Sequence, residues 1–422
     1  MPKTISLRRG VAVVGAGMSK FGAFAGKNSR DLFVEAYKDL ARSVDKGFDP
    51  AAIEMLYIGN FSSDQFERQA HIAPLMADAV GLTPLPATRV EDACASGGVA
   101  IRQGVMAIAS GLADVVLVGG VEKMTGLDTA SVTEALATAA DVVYEIPAGF
   151  TFPGFYAAMA SAYMHRYGMK PEHLMNVAIK NHDNAALNPY AQFNVTIQDW
   201  MKKRRASAIK KGKPAPTWST VWDFLHDESG NPMVAWPLRL FDCSPISDGA
   251  AAILLVAEER AGEFTDHPVH ILGSGQASDV ALHDRPDLTS IPAARIAARR
   301  AYEMAGVDAR DIRFAEVHDC FTIAEVIASE DLGFFAPGEG YKAAEDGMTA
   351  RSGSRPINTS GGLKAKGHPV GASGVAQAIE VWKQLRGVAG ERQLTGDIPL
   401  ALTHNVGATG STCVVHVYER RN

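Results

Sequence analysis

Apolar runs long enough for buried strands recur along the chain and alternate with stretches of helical periodicity. The first run covers Gly10 to Gly17, and another covers Ala113 to Gly120. A run that is apolar at nearly every position is typical of a strand covered by helices on both faces, as in parallel sheets. The chain has 422 residues, of which 47% are hydrophobic, so it can fill a large core of this kind. The pattern predicts a layered α/β fold with a largely parallel sheet.

The first of these runs ends in Gly15-Ala16-Gly17, which is how a dinucleotide-binding fingerprint begins. The third glycine of that fingerprint should stand at position 20, where the chain has Lys20, and Gly22 is out of register. We therefore assign no nucleotide-binding loop to this strand.

The second half of the chain repeats the organisation of the first. The run His270 to Gly275 is similar to the opening strand and its glycines. The segment Ala372 to Ala376 mirrors Ala95 to Ala100, and each stands where a strand and a turn lead into an apolar helix. Such internal similarity indicates a duplicated unit. Two equivalent central helices that face each other would bring Cys94 and His368 towards a common centre.

Between about residues 124 and 240 the alternation breaks off, and four tryptophans fall within this region. It also carries the one dense basic cluster of the chain, formed by Lys202 to Arg205 with Lys210 and Lys211. Such a cluster could contact the phosphate groups of a ligand, or it could be a solvated helix face. The sequence leaves both interpretations open.

Charge and hydropathy exclude several functional classes. Acidic residues outnumber basic ones by 47 to 41, which gives a net charge of −6 without a long charged tail. This balance argues against binding to nucleic acid or to an anionic membrane surface. No apolar run approaches the roughly 20 residues that span a bilayer, and the first residues lack the apolar core of a signal peptide. We expect a cytoplasmic protein that is not inserted in a membrane.

Four scattered cysteines form no Cys-x-x-Cys pair, which fits a reducing compartment and indicates no metal site. Cys94 stands between a predicted strand, Pro86 to Val90, and a predicted apolar helix, Val99 to Ser110. The free N–H groups and the dipole of a helix start stabilise a thiolate, so we expect a lowered pKa for this cysteine. The alternative interpretation is a buried structural cysteine.

Three further stretches place polar side chains at the ends of predicted strands, where ligands of α/β sheets usually bind. They are Val317 to Phe321, Gly367 to Pro369 and His404 to Gly407. A nucleophilic cysteine needs a base, an acyl oxygen needs hydrogen-bond donors, and a carbon nucleophile needs a second acid or base. The side chains of His318, Cys320 and His368 could supply these groups.

On these motifs the chain resembles the thiolases, specifically the sterol-carrier-protein type, almost from end to end. Two further segments carry the resemblance, Asn188 to Phe193 and Pro245 to Ala252. The resemblance implies a duplicated, five-layered α/β/α/β/α core with an inserted loop domain. The chain departs from the family pattern in its basic, tryptophan-rich insertion and in the absence of an appended sterol-carrier domain after Tyr418, so substrate size and a lipid-carrier role are not carried over. The expected boundaries are 1–123 with 241–265 for the N-terminal half, 124–240 for the loop domain, and 266–422 for the C-terminal half.

The resemblance also implies catalytic roles. Cys94 matches the acylated nucleophile, and His368 matches the base that activates it. Most thiolases carry a second reactive cysteine in a Cys-x-Gly motif near the C-terminus, but this chain reads Asn405-Val406-Gly407 there. Cys320, in the His-Asp-Cys-Phe motif, is similar to the thiol that replaces it in this subfamily.

The remaining implied roles concern substrate binding. His318, together with His368, would bind the thioester oxygen at which an enolate forms. The N–H groups of Cys94 and Gly407 match a second oxyanion hole, and Ser244 matches a residue that contacts the pantetheine arm. Such enzymes use coenzyme A as a substrate, need no further cofactor, and are usually dimers or tetramers.

The implied reaction is the cleavage of a 3-oxoacyl-CoA by CoA to acetyl-CoA or propionyl-CoA and a shortened acyl-CoA, or the reverse Claisen condensation. A ketoacyl-synthase-like condensing enzyme is one alternative, and Cys320 weighs against it because decarboxylation needs no base for the α-proton. An aldolase-like steroid-CoA lyase, usually with a small partner protein, is a second, and retention of Cys94 argues against it. A non-enzymatic acyl-CoA or lipid-binding protein is a third, which the complete set of catalytic residues disfavours.

Overall fold

The computed structural model describes residues 6–212 and 214–421. Strands and helices alternate along them as the sequence predicts. The strands are β1 Val11–Met18, β2 Met55–Gly59, β3 Ala87–Val90, β4 Val115–Glu122, β5 Met233–Ala235, β6 Leu238–Arg239, β7 Gly249–Ala257, β8 Val269–Ser278, β9 Phe314–Glu316, β10 Leu400–Gly407 and β11 Thr412–Arg420.

The helices are α1 Ser29–Ser43, α2 Ser63–Phe66, α3 Ile72–Ala79, α4 Ser96–Ala109, α5 Thr129–Ala137, α6 Phe152–Tyr167, α7 Pro171–Ala186, α8 Ile197–Lys210, α9 Val221–His226, α10 Pro292–Ala305, α11 Thr322–Asp331, α12 Gly340–Glu345, α13 Gly362–Lys366 and α14 Ser373–Leu385. The helix predicted at Val99 to Ser110 is observed as α4, which begins three residues earlier and ends one residue earlier.

Nine strands form one sheet in the order β3-β2-β4-β7-β1-β8-β11-β10-β9. The prediction of a largely parallel sheet is wrong, because only the pairs β2–β3, β2–β4 and β9–β10 are parallel. The other five pairs are antiparallel. A strand is apolar along its whole length when helices bury both faces of the sheet. This burial does not depend on whether the strand is parallel or antiparallel to its neighbours.

Helices cover both faces of this sheet, so its strands are buried on both sides. In β1, Val14 belongs to the same core cluster as Phe33 of α1 on an outer face. The alternate residue Val13 belongs to an inner cluster with Val105 of α4 and Ile379 of α14. That inner cluster also includes β8, β9, β10 and β11 of the second half, so α4 and α14 lie between the two halves of the sheet. The expected five-layered duplicated α/β fold is confirmed.

The glycines of β1 serve packing between strand and helix. Both Gly15 and Gly17 lie inside the strand, in a sheet position and not in a phosphate-binding loop. A Cβ atom on Gly17 would overlap the backbone of α1 at Ala36, Asp39 and Leu40. The absent side chain therefore lets α1 lie directly on the strand, which explains the Gly-Ala-Gly run without a nucleotide.

We predict that Gly17→Ala destabilises the fold by about 1–3 kcal/mol, because the backbone of α1 would have to move away from the sheet. Urea unfolding midpoints measure the loss. Gly26→Ala is the matched control, since Gly26 is exposed and a Cβ there meets no atom within 4 Å. Equal midpoints for the two variants would contradict the close packing of α1 on β1.

The segment between β4 and β7 contributes no strand to the nine-stranded sheet. It holds α5 to α9 and the small pair β5–β6, and it has its own apolar cluster around Trp218 and Phe224. Helices α5 and α6 approach the catalytic residues from this segment. Among the described residues, no helix combines the length and apolarity needed to cross a membrane.

Candidate active site

Cys94 lies in the turn between β3 and α4, two residues before the helix begins. The turn is tight, and Ala93 has a positive φ of 47°. The Ser96 hydroxyl closes it, since Ser96 Oγ accepts from the Asp92 N–H at 2.9 Å and donates to the Ala93 carbonyl at 2.6 Å. The start of the helix thus determines where the Cys94 side chain points.

His368 lies five residues before α14, whereas Cys94 lies two residues before α4. Its backbone N–H donates to Ser247 Oγ at 2.9 Å, and its Nδ1 lies 2.6 Å from Ser373 Oγ. Ser373 gives its single hydroxyl proton to the Pro369 carbonyl at 2.9 Å, so it can only accept from the imidazole. His368 therefore carries its proton on Nδ1, and Nε2 is free to act as a base.

The duplicated halves bring these groups together, as the repeated motif predicts. The Cys94 sulfur and one ring nitrogen each of His318 and His368 lie within 4.8 Å of one another. The two imidazoles pack edge to face with their centroids 5.2 Å apart. His318 follows β9, so the site combines the ends of strands and helices from both halves.

A cavity of about 190 Å³ opens onto this centre. Of the predicted site residues, Cys94, Ser244, Cys320 and His368 line it. His318 and Gly407 do not, although Ala408, the next residue after Gly407, does. The rest of the wall is mainly apolar and comes largely from the segment between β4 and β7 and from the loops around it; it includes Phe61, Met124, Leu136, Phe152, Ile246 and Val370. The cavity can hold an apolar group against the thiol.

The expected low pKa of Cys94 is wrong. Burial raises the pKa of this thiol to about 12, and the nearby Glu122 carboxyl adds to the effect, while the backbone N–H of Ala408 opposes it. The helix dipole does not compensate for the loss of water around the sulfur. Burial, with a smaller effect of the Lys366 charge, also lowers the pKa of His368 to about 3. The resting pair is therefore a neutral thiol and a neutral imidazole.

Cys320 lies against the same cavity and is almost fully buried. Burial raises its pKa well above the ordinary value of a thiol, and the Tyr156 hydroxyl beside it acts in the opposite direction. Tyr156 also donates to the Ala408 carbonyl at 3.1 Å and stacks on Phe321 at 4.6 Å. The Cys320 thiol therefore lies beside the Tyr156 hydroxyl, which is itself fixed by the Ala408 carbonyl.

Three residues of the site were missed by the sequence analysis as contributors, namely Tyr156, Ser373 and Asn405. Ser373 could have been found, because it repeats the position of Ser96 in the mirrored Ala-Ser-Gly motif. Asn405 was noted only as the place where a thiol is missing. Tyr156 lies in a helix without a polar motif, and nothing in its surroundings marks it.

Among the described residues, the one set of three or more side chains close enough to hold a metal ion is Cys94 with His318 and His368. Three donors are fewer than the four protein ligands of a structural zinc site, whereas a catalytic zinc site takes three protein ligands and keeps a fourth position open. The same side chains are the predicted nucleophile, the predicted base and a predicted hydrogen-bond donor of the site.

The chain matches the thiolase N-terminal domain over residues 11–259 and the thiolase C-terminal domain-like family over residues 274–420. It belongs to the thiolase family. An acetyl-CoA acetyltransferase of Methanothermobacter thermautotrophicus is 48% identical over 98% of this chain and 100% of its own length. Human sterol carrier protein 2 is 32% identical over 97% of this chain and 72% of its own length.

A solved structure described as the Ltp2-ChsH2(DUF35) aldolase superimposes with a TM-score of 0.77 at 25% identity, over 96% of this chain and 97% of that one. Thiolases are acyltransferases that use CoA as a substrate without a further cofactor, and they are usually homo-oligomers. This thiolase is accordingly an enzyme of acyl-CoA chemistry.

Because the Cys94 thiol is protonated at rest, we predict that its alkylation by iodoacetamide accelerates about tenfold for each pH unit between pH 6 and 9. Below its pKa, the thiolate fraction of a group grows by that factor per unit. Intact-protein mass spectrometry follows the labelling, and Cys94→Ala gives the background from the other cysteines. A rate that levels off near neutral pH would instead indicate a stabilised thiolate.

Proposed function

We propose that this thiolase cleaves a 3-oxoacyl-CoA with CoA, or condenses two acyl-CoA molecules in reverse, through an acyl-enzyme on Cys94. The observation that carries the proposal is that Cys94, His368 and a second thiol, Cys320, line one mainly apolar cavity, while the His318 imidazole packs against that of His368. Acyl transfer with carbon–carbon chemistry needs these four functions together.

In the cleavage direction, the Cys94 sulfur attacks the 3-oxo carbon while Nε2 of His368 takes the thiol proton. Because both groups are neutral at rest, this proton transfer accompanies the attack and does not precede it. The bond between the α-carbon and the 3-oxo carbon then breaks, and its electron pair leaves on the enolate of acetyl-CoA. The shortened acyl group remains on Cys94 as a thioester.

Cys320 supplies the proton that the departing enolate needs. Its raised pKa keeps it protonated at rest, which is the form required of an acid. A second CoA then attacks the thioester and gives its thiol proton to the Cys320 thiolate. The new acyl-CoA leaves, His368 returns its proton to Cys94, and every group regains its starting state.

Negative charge on the reacting oxygens needs donors that are already in place. We assign the enolate oxygen to His318, joined by His368 once its Nε2 has taken the Cys94 proton, and the oxygen of the acyl-enzyme to the N–H groups of Cys94 and Gly407. The backbone N–H of Ala408, the residue after Gly407, approaches the Cys94 sulfur. This approach supports the second of these two sets of donors.

Ser244 is the proposed contact of the pantetheine arm. The Ser244 N–H donates to the Cys320 carbonyl at 2.9 Å, so the proposed pantetheine contact lies next to the proposed acid–base thiol. A second cavity of about 140 Å³ shares Ser244 with the first and is also lined by Arg204 and Lys364. Of the basic cluster, Lys202, Lys203, Lys210 and Lys211 are exposed. Of the six residues of this cluster, Arg204 is the one that lines this second cavity.

The acyl specificity is the finer part of the proposal. The apolar wall of the first cavity supports an acyl chain, and the His-Asp-Cys-Phe motif supports a relationship to the sterol-carrier-protein type. The name of the 48% identical relative supports acetyl-CoA as a substrate or product. We expect a homodimer or a homotetramer, with a small partner protein as a further possibility.

We predict that substitutions of Cys94 and of Cys320 affect different steps of the reaction. Mixing with acyl-CoA should give an acyl adduct, visible by intact-protein mass spectrometry, that Cys94→Ala abolishes. Cys320→Ala should keep the adduct, but lower thiolysis and deuterium exchange into acetyl-CoA by about 10²–10⁴-fold, the usual effect of losing a general acid or base.

The matched control is Cys413→Ala, since Cys413 is a buried cysteine that does not line the cavity. It should keep both the adduct and the exchange. If Cys320→Ala exchanges deuterium into acetyl-CoA as fast as the parent enzyme, Cys320 is not the acid–base group, and His318 is the next candidate. Cleavage of a CoA ester without any adduct would favour the aldolase-like alternative.

A second prediction concerns the CoA phosphates. Arg204→Ala should raise the KM for CoA esters by about 2–10-fold with little change in kcat, most clearly at low ionic strength, because partly exposed charge contacts are weak and screened by salt. Steady-state kinetics at two salt concentrations measure this change. Lys203→Ala, an exposed neighbour on the same helix, should leave the KM unchanged. Equal effects of the two variants would show that Arg204 makes no special contact.

A further inference from the structure

The Asn405 carboxamide joins three parts of the site. Its Oδ1 accepts from the Gly98 N–H at 3.1 Å, and its Nδ2 lies 2.9 Å from the Cys94 carbonyl oxygen. The same Nδ2 lies 3.1 Å from Nδ1 of His318. We propose that Asn405 is a positioning residue that holds His318 with its proton on Nε2, so that this imidazole can only donate towards the reaction centre.

The orientation of the amide follows from its fixed neighbours. A backbone N–H can only donate, so the atom facing Gly98 must be the oxygen. A carbonyl can only accept, so the atom facing Cys94 must be the nitrogen. The second hydrogen of that nitrogen points to His318, and an amide nitrogen cannot accept. Nδ1 of His318 is therefore the acceptor, and the proton of the neutral ring is on Nε2.

The two central helices leave space for this amide. A Cβ atom on Gly374, at the start of α14, would overlap Asn405 Oδ1, and one on Gly98, in α4, would come within 2.9 Å of the same oxygen. Glycine at both positions lets the carboxamide lie between the two helix starts. The contact is thus built into the fold and is not an accident of one side-chain rotamer.

The consequence is that the two catalytic imidazoles are held in opposite tautomers. Ser373 accepts from Nδ1 of His368, which leaves Nε2 of that ring bare for the base. Asn405 donates to Nδ1 of His318, which puts the proton on Nε2. Nε2 of His318 is buried and has no hydrogen-bond partner among the described residues, as expected of a donor whose acceptor is an atom of the substrate. The catalytic use of this donor rests on the proposed function, whereas the tautomer does not.

The first test needs no substrate, so its failure is distinguishable from a failure of the proposed function. Selective ¹⁵N labelling of the 12 histidines, with two-bond ¹⁵N–¹H correlation spectra, reports which ring nitrogen carries the proton. The His318→Gln variant assigns the signals. We expect Nε2–H for His318 and Nδ1–H for His368 from pH 6 to 8. A proton on Nδ1 of His318 in the parent enzyme would overturn the proposal.

The second test reverses the donor. In Asn405→Asp, a carboxylate oxygen faces Nδ1 of His318 and favours the opposite tautomer. At pH 8, deuterium exchange into acetyl-CoA should fall by about 10²–10³-fold, as on loss of an oxyanion-hole donor. As the pH falls, His318 becomes an imidazolium with a proton on both nitrogens, so exchange should recover by about tenfold for each unit. The parent enzyme should show no such recovery.

Other titrating groups face His318 and have to be separated from this effect. They are Cys94 from the turn before α4, His368 from the turn before α14, His404 from β10, and Cys320 two residues along its own chain. The pKa of His368, lowered to about 3, and that of His404, lowered to about 3, keep both rings neutral over this range. Both thiols stay protonated there, because burial raises their pKa values.

Asn184→Asp is the matched control, because Nδ2 of this buried asparagine also donates to a backbone carbonyl, that of Asn358 at 3.0 Å. It should leave the pH profile of exchange unchanged. If Asn405→Asp fails to fold, the tautomer spectrum of the parent enzyme still decides the proposal. A folded Asn405→Asp variant that exchanges deuterium with the parent pH profile would contradict it.

Discussion

The close approach of the two central helix starts is the constraint on which the site depends. A Cβ atom on Gly97 of α4 would meet the carbonyl oxygen of Gly371 at 2.7 Å and the backbone nitrogen of Val375 at 3.1 Å. A Cβ atom on Gly120 of β4 would also overlap the Gly371 carbonyl. Backbone therefore packs on backbone where the two halves meet, and the side chains that precede each helix are pushed into one space. Cys94 and His368 are neighbours because these glycines have no side chains.

That packing also excludes water, and the loss of water accounts for the electrostatics of the site. The same burial raises the pKa of Cys94 and lowers that of His368, so both shifts favour the uncharged pair. A site of this kind does not store a reactive thiolate. In the proposed mechanism, it places fixed N–H donors and a bare imidazole nitrogen around the positions where charge develops, which lowers the barrier without reorganisation of solvent. The burial that makes the resting thiol inert is what strengthens those donors.

The sequence predicted those features that depend on local pattern. Strand β1, Val11–Met18, lies within one residue of the predicted run Gly10 to Gly17, and the mirrored Ala-Ser-Gly segments correctly indicated that two equivalent helices would face each other. The strand directions were not predictable, because an apolar run reports burial and not orientation. The pKa of Cys94 was mispredicted because the dipole of α4 can be inferred from a helix start, whereas the depth of the surrounding wall depends on α5 and α6, which are distant in the chain. The position of Tyr156 in the site was not predictable either, because α6 is distant in the chain from both Cys94 and Cys320.

Asn405 shows how one fold can carry its acid–base thiol at another place. Most thiolases have a cysteine at this position, and a single thiol could not make the three hydrogen bonds that the amide makes to Gly98, Cys94 and His318. Once Cys320 reaches the same cavity from the end of β9, the position on β10 no longer has to supply a proton in the proposed mechanism. It is then free to orient the imidazole of His318, which stands where most thiolases have an asparagine. The two departures are coupled, because a histidine has two tautomers and an asparagine amide at that place has none: a histidine at position 318 needs a partner that selects its tautomer.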